Sequence, residues 1–321
     1  MNMKINIIPF FFILLFVFTT PAFATQPNQK CFKILRYTFC IPLPPKPPSP
    51  PVRPTVTPKK TPTPTSINTP THTPTHTPTP TPTPTPNTEC NSSTICGNSC
   101  LYGEVTYDTV LIGTQCWFKK NLNVGNIITV FEVPDNNAPI SNNPDSVQKW
   151  CYNDDPTNCT NEGGLYSWAE TNGLPHSCNS SPCNIPVPNQ GICPAGWHIP
   201  TDSEFYTLEN FLTDPGQTCD ALRSSWDCYG AGTKLSLGGS SGFDAIRAGD
   251  HETNGELSWY DKREPSIHFW SSSPCLNCSN WSHGFSRSLI NGGNDPYVAR
   301  GWGWMVHGIS VRCLADTTNT P

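Results

Sequence analysis

A tract rich in proline and threonine divides the chain and limits where a folded core can form. Residues 41–88 consist largely of Pro-Pro and Thr-Pro pairs and contain 18 of the 36 prolines. Proline lacks an amide donor and fixes φ, so neither a core nor a strand ladder can form there. We expect an extended polyproline II stalk, on the order of 140 Å long, that acts as a spacer or carries O-linked sugar. The globular part is therefore assigned to residues 89–316, with a tail at 317–321.

The N-terminus has the pattern of a secretory signal segment, which we assign to residues 1–24. Lys4 provides a positive charge, residues 7–18 are almost entirely apolar, and small residues stand at Ala22 and Ala24. The alternative is an uncleaved membrane anchor. No other stretch is apolar over the ~20 residues that a helical span needs. We therefore predict a secreted or cell-surface protein with no membrane span after removal of the segment.

Residues 25–40 form a short stub between the signal segment and the proline tract. Its two halves alternate apolar and polar residues, which suits two short strands. Two strands alone are marginally stable. Cys31 and Cys40 can close the pair as a disulfide in an oxidising compartment.

The clearest local signal in the globular part lies between Cys193 and Phe205. Thr201 and Glu204 form a capping box, in which each side chain bonds the backbone N–H of the other residue. A helix should begin there and end at the Asp-Pro-Gly of residues 214–216. Its apolar face would consist of Phe205, Leu208, Phe211 and Leu212. A second, short helix is predicted over residues 164–170.

Short runs of strand-forming residues occupy the rest of the globular part. Residues 105–112 and 115–118 indicate a hairpin. After residue 232, apolar or alternating runs are separated by Gly, Asn and Pro, which predicts short strands and long loops. These runs lie at 243–246, 268–270 and 309–312. Two early helices followed by short strands indicate an α+β fold.

Several blocks of the sequence resemble, in order, those of the Fibrobacter succinogenes major paralogous domain family. They are VLIGTQCW at 110–117 with KNL at 120–122, CYNDDPTNC at 151–159 with GLYSW at 164–168, CPAGWHIPT at 193–201, FWSSS at 269–273 and SVRC at 310–313. The resemblance covers roughly residues 104–315. It implies a bacterial, exported domain without an established activity. It also implies a C-type-lectin-like fold related to the formylglycine-generating-enzyme branch: two helices and a small twisted antiparallel sheet, with the first and last strands close together.

The cysteines predict a disulfide-rich domain. Of the 16 cysteines, 14 lie in the globular part, and an even number in an exported chain favours disulfides. Short spacing favours Cys151–Cys159, Cys178–Cys183 and Cys219–Cys228, while Cys90, Cys96, Cys100 and Cys116 would pair among themselves. Cys275 and Cys278 are predicted to form a structural disulfide. A Cys193–Cys313 bond would close a loop of about 120 residues, worth on the order of 4–5 kcal/mol in the chain-entropy model. Zinc binding at 275–278 or 96–100 is the alternative.

The chain carries few signs of catalysis. The formylglycine-generating enzyme uses a cysteine pair shortly before its final strand, and Cys275 and Cys278 have a loosely similar place. Such chemistry would need a thiol with a lowered pKa in an accessible pocket. No Ser-His-Asp order, phosphate loop or paired-acid signature stands out. A net charge of −5 with 13% charged residues gives no reason to expect nucleic acid, and no cofactor is predicted.

Calcium binding is weakly indicated. Sugar-binding C-type lectins hold calcium with a Glu-Pro-Asn loop, but residues 264–266 read Glu-Pro-Ser and lack the amide oxygen. Residues 153–155 and 294–295 offer the oxygen ligands that calcium prefers. Asn-Asp-Pro sequences also form ordinary turns. We favour turns and predict no metal.

Large aromatic residues in the late loops form the candidate binding face. The sequence Gly-Trp-Gly-Trp at 301–304 is unusual, because glycine exposes neighbouring rings. Rings beside amide and carboxylate groups suit sugars or protein partners. The alternative is that the rings fill a small core. The predicted face consists of Trp259, Tyr260, Asn294, Asp295, Trp302 and Trp304.

Three function classes follow from these patterns. The first, which we favour, is a stalked bacterial surface module that binds glycans or proteins through late aromatic loops and is not an enzyme. The second is an exported enzyme of the formylglycine-generating type that uses Cys275 and Cys278. The third is a display or structural domain without a tight ligand.

Overall fold

The computed structural model describes residues 29–34, 37–42, 88–135, 137–139, 143–262, 266–278, 282–290 and 295–319. The chain forms two compact units, Met1–Thr77 and Pro78–Pro321. The predicted signal segment and residues 43–87 of the predicted proline tract lie outside the described residues. Both assignments therefore remain predictions.

The first unit contains an antiparallel hairpin of strands β1 (Gln29–Ile34) and β2 (Tyr37–Pro42). Cys31 and Cys40 lie opposite each other in its register. β2 ends two residues beyond the boundary predicted for the stub, inside the segment assigned to the proline tract. The Cys31–Cys40 bond remains a prediction.

The second unit is a mixed α/β structure with few helices and mainly antiparallel strands. Its strands are β3 (Ser99–Tyr102), β4 (Val105–Ile112), β5 (Gln115–Phe118), β6 (Asn126–Ile128), β7 (Gln148–Trp150), β8 (Trp197–His198), β9 (Trp226–Asp227), β10 (Asp250–Thr253), β11 (Ser258–Asp261), β12 (Ile267–Pro274), β13 (His283–Leu289), β14 (Val298–Trp304) and β15 (Leu314–Ala315). Its helices are α1 (Pro156–Glu162), α2 (Trp168–Thr171), α3 (Asp202–Leu212) and α4 (Ala231–Leu235). Among the described residues, none of the helices has the length and apolar character to cross a membrane.

A five-stranded sheet of order β3-β4-β5-β15-β8 joins the two ends of the second unit. The predicted first hairpin is β4–β5, and Leu314 of β15 pairs with Trp117 of β5. The predicted proximity of the first hairpin and the last strand is therefore confirmed. β5, rather than β4, is the direct neighbour of β15.

A four-stranded antiparallel sheet of order β12-β13-β14-β9 packs against α3. Arg287 of β13 donates to Glu209 of α3 over 2.5 Å, and Arg223 donates to the other oxygen of the same carboxylate. Asp202, the first residue of α3, accepts from both Arg287 and Arg300. Buried charges are tolerated when they are paired in this way. The network fixes α3 on the sheet.

Helix α3 begins at the predicted capping box. The Thr201 hydroxyl accepts from the Glu204 backbone N–H over 3.2 Å, and the Glu204 carboxylate accepts from the Thr201 N–H over 2.8 Å. Phe205, Leu208 and Leu212 are buried as predicted, whereas Phe211 is exposed.

The expectation of only two helices is wrong. α1 forms because Asp155 caps it at Thr157 and Pro156 fits its first position, and α4 is a further short helix. The helix predicted over 164–170 begins only at Trp168. The residues before it are used in isolated bridges to other segments: Leu165 to Trp150, and Tyr166 to Ile309.

Two of the three predicted late strands are not strands. The run at 268–270 lies within β12, but 243–246 and 309–312 make only isolated bridges. The buried guanidinium of Arg312 donates to backbone carbonyls in the first of these segments, including that of Asp244. It thereby uses acceptors that a strand ladder would need.

The folded unit continues beyond the boundary predicted at residue 316. The Asn319 carbonyl accepts from the Cys96 N–H, and its side-chain amide donates to the Ser92 carbonyl. The Thr318 hydroxyl donates to the Thr114 carbonyl. The predicted tail is therefore packed on the domain as far as Asn319.

Seven disulfide bonds join the cysteines of the described second unit, and no described cysteine is free. The three pairs that short spacing favoured form, and so do the predicted Cys275–Cys278 and Cys193–Cys313 bonds. The remaining four cysteines pair among themselves, as Cys90–Cys100 and Cys96–Cys116. Cys275 and Cys278 therefore form a disulfide rather than a zinc site.

Candidate functional site

A surface groove with a volume of about 820 Å³ lies in the second unit. Its walls come from the β10–β11 hairpin, the end of β14 with the turn after it, the 3-10 turn at His176–Asn179 and the segment that follows β6. The volume falls in the range of small-molecule binding sites. Three large rings of the groove are exposed to solvent: Phe131, Trp259 and Trp304.

Phe131 projects from a turn that is held on both sides. The Trp150 indole N–H donates to the Glu132 carbonyl over 3.1 Å, and His251 Nε2 donates to the Val130 carbonyl over 3.0 Å. The two donor rings stack with their centroids 3.9 Å apart, so they form one rigid base. Phe131 is nevertheless 79% exposed. The backbone of this turn is therefore fixed while its apolar side chain faces water.

The β10–β11 hairpin places polar groups beside an aromatic ring. Glu252 of β10 lies opposite Trp259 of β11. At the tip, Asn254 Oδ1 accepts from the backbone N–H groups of Glu256 and the next residue. Gly255 adopts a φ of +89°, which other residues rarely take. The sequence Thr-Asn-Gly-Glu at 253–256 thus builds a fixed tip that carries the Glu256 carboxylate.

Trp302 and Trp304 lie on one outer face of β14, because side chains alternate along a strand. The buried ring of His283 on β13 contacts both, with centroid distances of 4.4 and 4.2 Å. On the opposite face, a Cβ at Gly303 would come within 3.0 Å of the Trp270 ring. The Gly-Trp-Gly-Trp sequence therefore allows close packing on one face and displays rings on the other.

Three imidazoles line the groove, and all are neutral at pH 7. Burial lowers the pKa of His176, His251 and His307 below the ordinary imidazole value. His251 and His307 donate through Nε2 to backbone carbonyls, over 3.0 and 3.1 Å. His176 accepts at Nδ1 from the Asn179 side-chain amide. These rings offer the groove no positive charge at neutral pH.

The groove carries two carboxylates of different character. Glu252 is partly buried and pairs with the ammonium of Lys262, which also lies 3.6 Å from Asp250. Burial opposes the charge on Lys262, but its hydrogen bond to Glu252 and the neighbouring carboxylates raise its pKa. Glu256 is exposed at the hairpin tip. The charge that the described residues of the groove present to solvent is therefore negative.

The structure brings together only part of the predicted binding face. Trp259 and Trp304 line the groove. Trp302 lines a separate pocket of about 300 Å³ with Arg300 and the Cys275–Cys278 disulfide. Asp295 lies beyond the other end of β14 and accepts from the Tyr297 N–H. Asn294 lies outside the described residues.

Tyr260 supports the groove rather than lining it. Its hydroxyl donates to Asp154 over 2.6 Å, and its ring packs on those of Tyr152 and His251. Asp154 also accepts from the Val130 N–H at the turn below Phe131. This carboxylate is thus committed to structural contacts.

The turn interpretation of residues 153–155 fits their geometry better than a calcium site. Asn153 and Asp154 adopt positive φ values, and Asp155 caps α1. Among the described residues, the one group of metal-ligand type within coordinating reach is Glu209 with Cys219 and Cys228. Those cysteines form a disulfide, and Glu209 is paired with two arginines. This group is therefore unsuited to a metal.

Several groove residues could not be recognised from the sequence. They are Phe131, His176, Glu252, Asn254, Glu256 and His307. The available signals were an apolar run, Val-Phe-Glu-Val-Pro at 130–134, that matches no strand pattern, and a Thr-Asn-Gly-Glu turn between two short runs. Both mark exposed loops, but neither shows that the loops meet.

A family model described as the Fibrobacter succinogenes major domain matches residues 110–315. Neither a curated protein nor a solved structure matches the chain. The matched segment contains the three exposed rings and both carboxylates of the groove. These groove residues therefore lie within the range that the family model matches.

Proposed function

The chain belongs to the Fibrobacter succinogenes major domain family, and we propose that it is a surface module that binds carbohydrate in the groove. The observation that carries the proposal is the turn at Phe131. Two buried rings hold its backbone while its side chain stays exposed. Exposed rings favour association unless they are covered by a partner, so a fixed and exposed ring indicates a contact surface.

Carbohydrate fits this surface better than a protein partner does. Aromatic rings pack on the C–H faces of sugars, and carboxylates, amides and imidazoles bond their hydroxyl groups. The groove mixes Phe131, Trp259 and Trp304 with polar groups such as Glu256 and Asn254. A stable protein interface usually needs about 800 Å² from each partner with a contiguous apolar centre. The concave and mixed lining of the groove suits a small hydroxyl-rich ligand.

The disulfides suit an extracellular protein, because such bonds persist in oxidising compartments. The family is consistent with a surface module in that location. We propose that the predicted signal segment exports the chain and that the predicted proline-rich stalk spaces the module from its attachment. We also propose that the fold is C-type-lectin-like, because the first hairpin and the last strand share a sheet and helices are few.

The proposal can be tested with a glycan array probed with the full chain purified from an oxidising expression host. Trp304→Ala and Phe131→Ala should each reduce retention on the glycans that bind the unchanged protein. Trp302→Ala is the matched control, since Trp302 lies on the same strand face and also contacts His283 but lines another pocket. Absence of glycan binding, or equal losses from Trp302→Ala and Trp304→Ala, would contradict the assignment to the groove.

A further inference from the structure

We infer that the groove selects uncharged glycan chains and rejects chains that carry carboxylate or sulfate groups. This inference rests on the proposed function and adds a ligand class to it. Its basis is the set of charges and hydrogen-bond donors that the described residues present to the groove.

Cationic groups are the usual means by which a protein binds anionic sugars. Among the described residues that line the groove, there is neither lysine nor arginine. Carboxylates and sulfates are usually bound by the two parallel N–H donors of arginine or by a lysine ammonium. Among the described residues, the ammonium of Lys262 contacts the groove residue Glu252, and it is shared by Glu252 and Asp250. Its charge is already balanced by these two carboxylates.

Imidazolium groups are the second means of binding an anion, and they are also missing at neutral pH. His251 and His307 each direct an N–H at a backbone carbonyl, Val130 and Thr253 respectively. In the neutral ring the other nitrogen is an acceptor and offers nothing to a carboxylate. The other nitrogen of His251 is buried, so in this pair His307 alone has an acceptor left for a ligand hydroxyl. His176 accepts at Nδ1 and carries its proton on Nε2, and this N–H is uncharged.

Glu256 adds repulsion to this lack of attraction. Its carboxylate stands on the fixed hairpin tip that forms one wall of the groove, and it is exposed. A ligand carboxylate within a few ångströms of it would lose roughly a factor of ten in affinity at low ionic strength. Stacking on Trp259 and Trp304 does not distinguish acidic from neutral sugars. The carboxylates of the protein therefore decide the selectivity.

The test compares three soluble oligosaccharides of equal length by calorimetry with the full chain at pH 7 and low salt. They are a neutral glucose oligomer, a galacturonic acid oligomer and a glucosamine oligomer. We expect the neutral oligomer to bind at least roughly ten-fold more tightly than the acidic one, and the gap to narrow as salt is added. Glu256→Lys should raise affinity for the acidic oligomer by a similar factor. Glu104→Lys, which changes an exposed carboxylate away from the groove, should not.

The outcomes separate the two proposals. Acidic chains that bind as well as neutral ones would overturn the selectivity and leave carbohydrate binding in place. Glucosamine chains that bind about ten-fold more tightly than glucose chains would also overturn it, since Glu256 would then be a ligand for ammonium groups. If no oligomer of any charge binds, the proposed function fails, and the selectivity fails with it.

Discussion

The two halves of β14 perform different tasks. At its start, Arg300 lies against Asp202 in a buried ionic network, and Val298 is in the core. At its end, Trp302 and Trp304 are 50% and 45% exposed. One continuous strand is therefore anchored in the core and displays two rings about 7 and 13 Å beyond Arg300. Contacts outside the groove supply its rigidity, so we expect stability and binding to be separable by substitution.

Breaking the ionic network that anchors the start of β14 should have the largest effect, and Arg287 of the neighbouring strand β13 belongs to that network. Arg287 is 1% exposed and pairs with Glu209 and Asp202. Arg287→Ala leaves the buried Glu209 carboxylate with one partner fewer and should lower the free energy of unfolding by roughly 3–5 kcal/mol. Denaturant unfolding measures this loss. Lys234→Ala, at a partly exposed pair with Asp214, should cost less than about 1 kcal/mol, and equal losses for the two variants would contradict the contrast.

A buried carboxyl group should make stability depend on pH. Burial raises the pKa of Glu170 to about 8, although the Gln148 N–H bonds it. Because the folded pKa lies above the unfolded value of 4.5, the folded state binds more protons between these limits. Stability should therefore fall as pH rises from about 4.5 to about 8, by up to roughly 1.4 kcal/mol per pH unit from this group.

Glu170→Gln retains the acceptor oxygen and removes the titration. The variant should gain stability relative to the unchanged protein as pH rises, by a few kcal/mol at pH 8. Thermal unfolding of both proteins at pH 5 and pH 8 decides this. A difference between the two proteins that is the same at both pH values would show that Glu170 does not titrate in this range.

Truncation of the exposed rings at the end of β14 should lower stability less than the loss of Arg287. Trp302→Ala and Trp304→Ala each remove a ring that is about half exposed, so we expect a loss of about 1–2 kcal/mol each, below the 3–5 kcal/mol typical of buried tryptophan. Denaturant unfolding measures the cost. A loss near the upper value would mean that these rings belong to the core, which was the alternative considered from the sequence.

The smallest effect on stability should come from Phe131→Ala. The turn is held by bonds to the carbonyls of Val130 and Glu132, not by the Phe131 side chain. We expect the unfolding free energy to stay within about 0.5 kcal/mol of the unchanged protein, while glycan retention falls. A clear drop in melting temperature would show that the ring packs on the domain.

Features set by near neighbours in the sequence were predictable. The capping box of Thr201 and Glu204, the first hairpin and the pairs of closely spaced cysteines depend on a few adjacent residues. The Cys193–Cys313 pair was identified as a plausible long-range staple. The family resemblance added the proximity of the first and last strands of the globular part. The run at 243–246 was wrongly predicted to be a strand. Arg312, which is distant in sequence, donates hydrogen bonds to backbone carbonyls of this run.

Only some of the groove residues could be predicted, because the groove also depends on contacts between segments that are distant in sequence. Trp259 and Trp304 were identified by composition, but their neighbour Tyr260 has the same local character and points its hydroxyl at Asp154 instead. The turn at Phe131 reaches the groove through bonds to Trp150 and His251. No local sequence pattern shows that the turn at Phe131 contacts Trp150 and His251.

The way the turn at Phe131 is held has a consequence for how ligand preference can change over evolutionary time. The holding bonds go to main-chain oxygens on either side, which every amino acid possesses. We therefore expect that the side chain at position 131 can be substituted without a change in the backbone of the turn. Tyrosine would add a hydroxyl group to the groove, arginine would add a positive charge, and glycine would remove the ring. Under the proposed function, one substitution at this position would change the contact with the ligand at a small expected cost in folding stability.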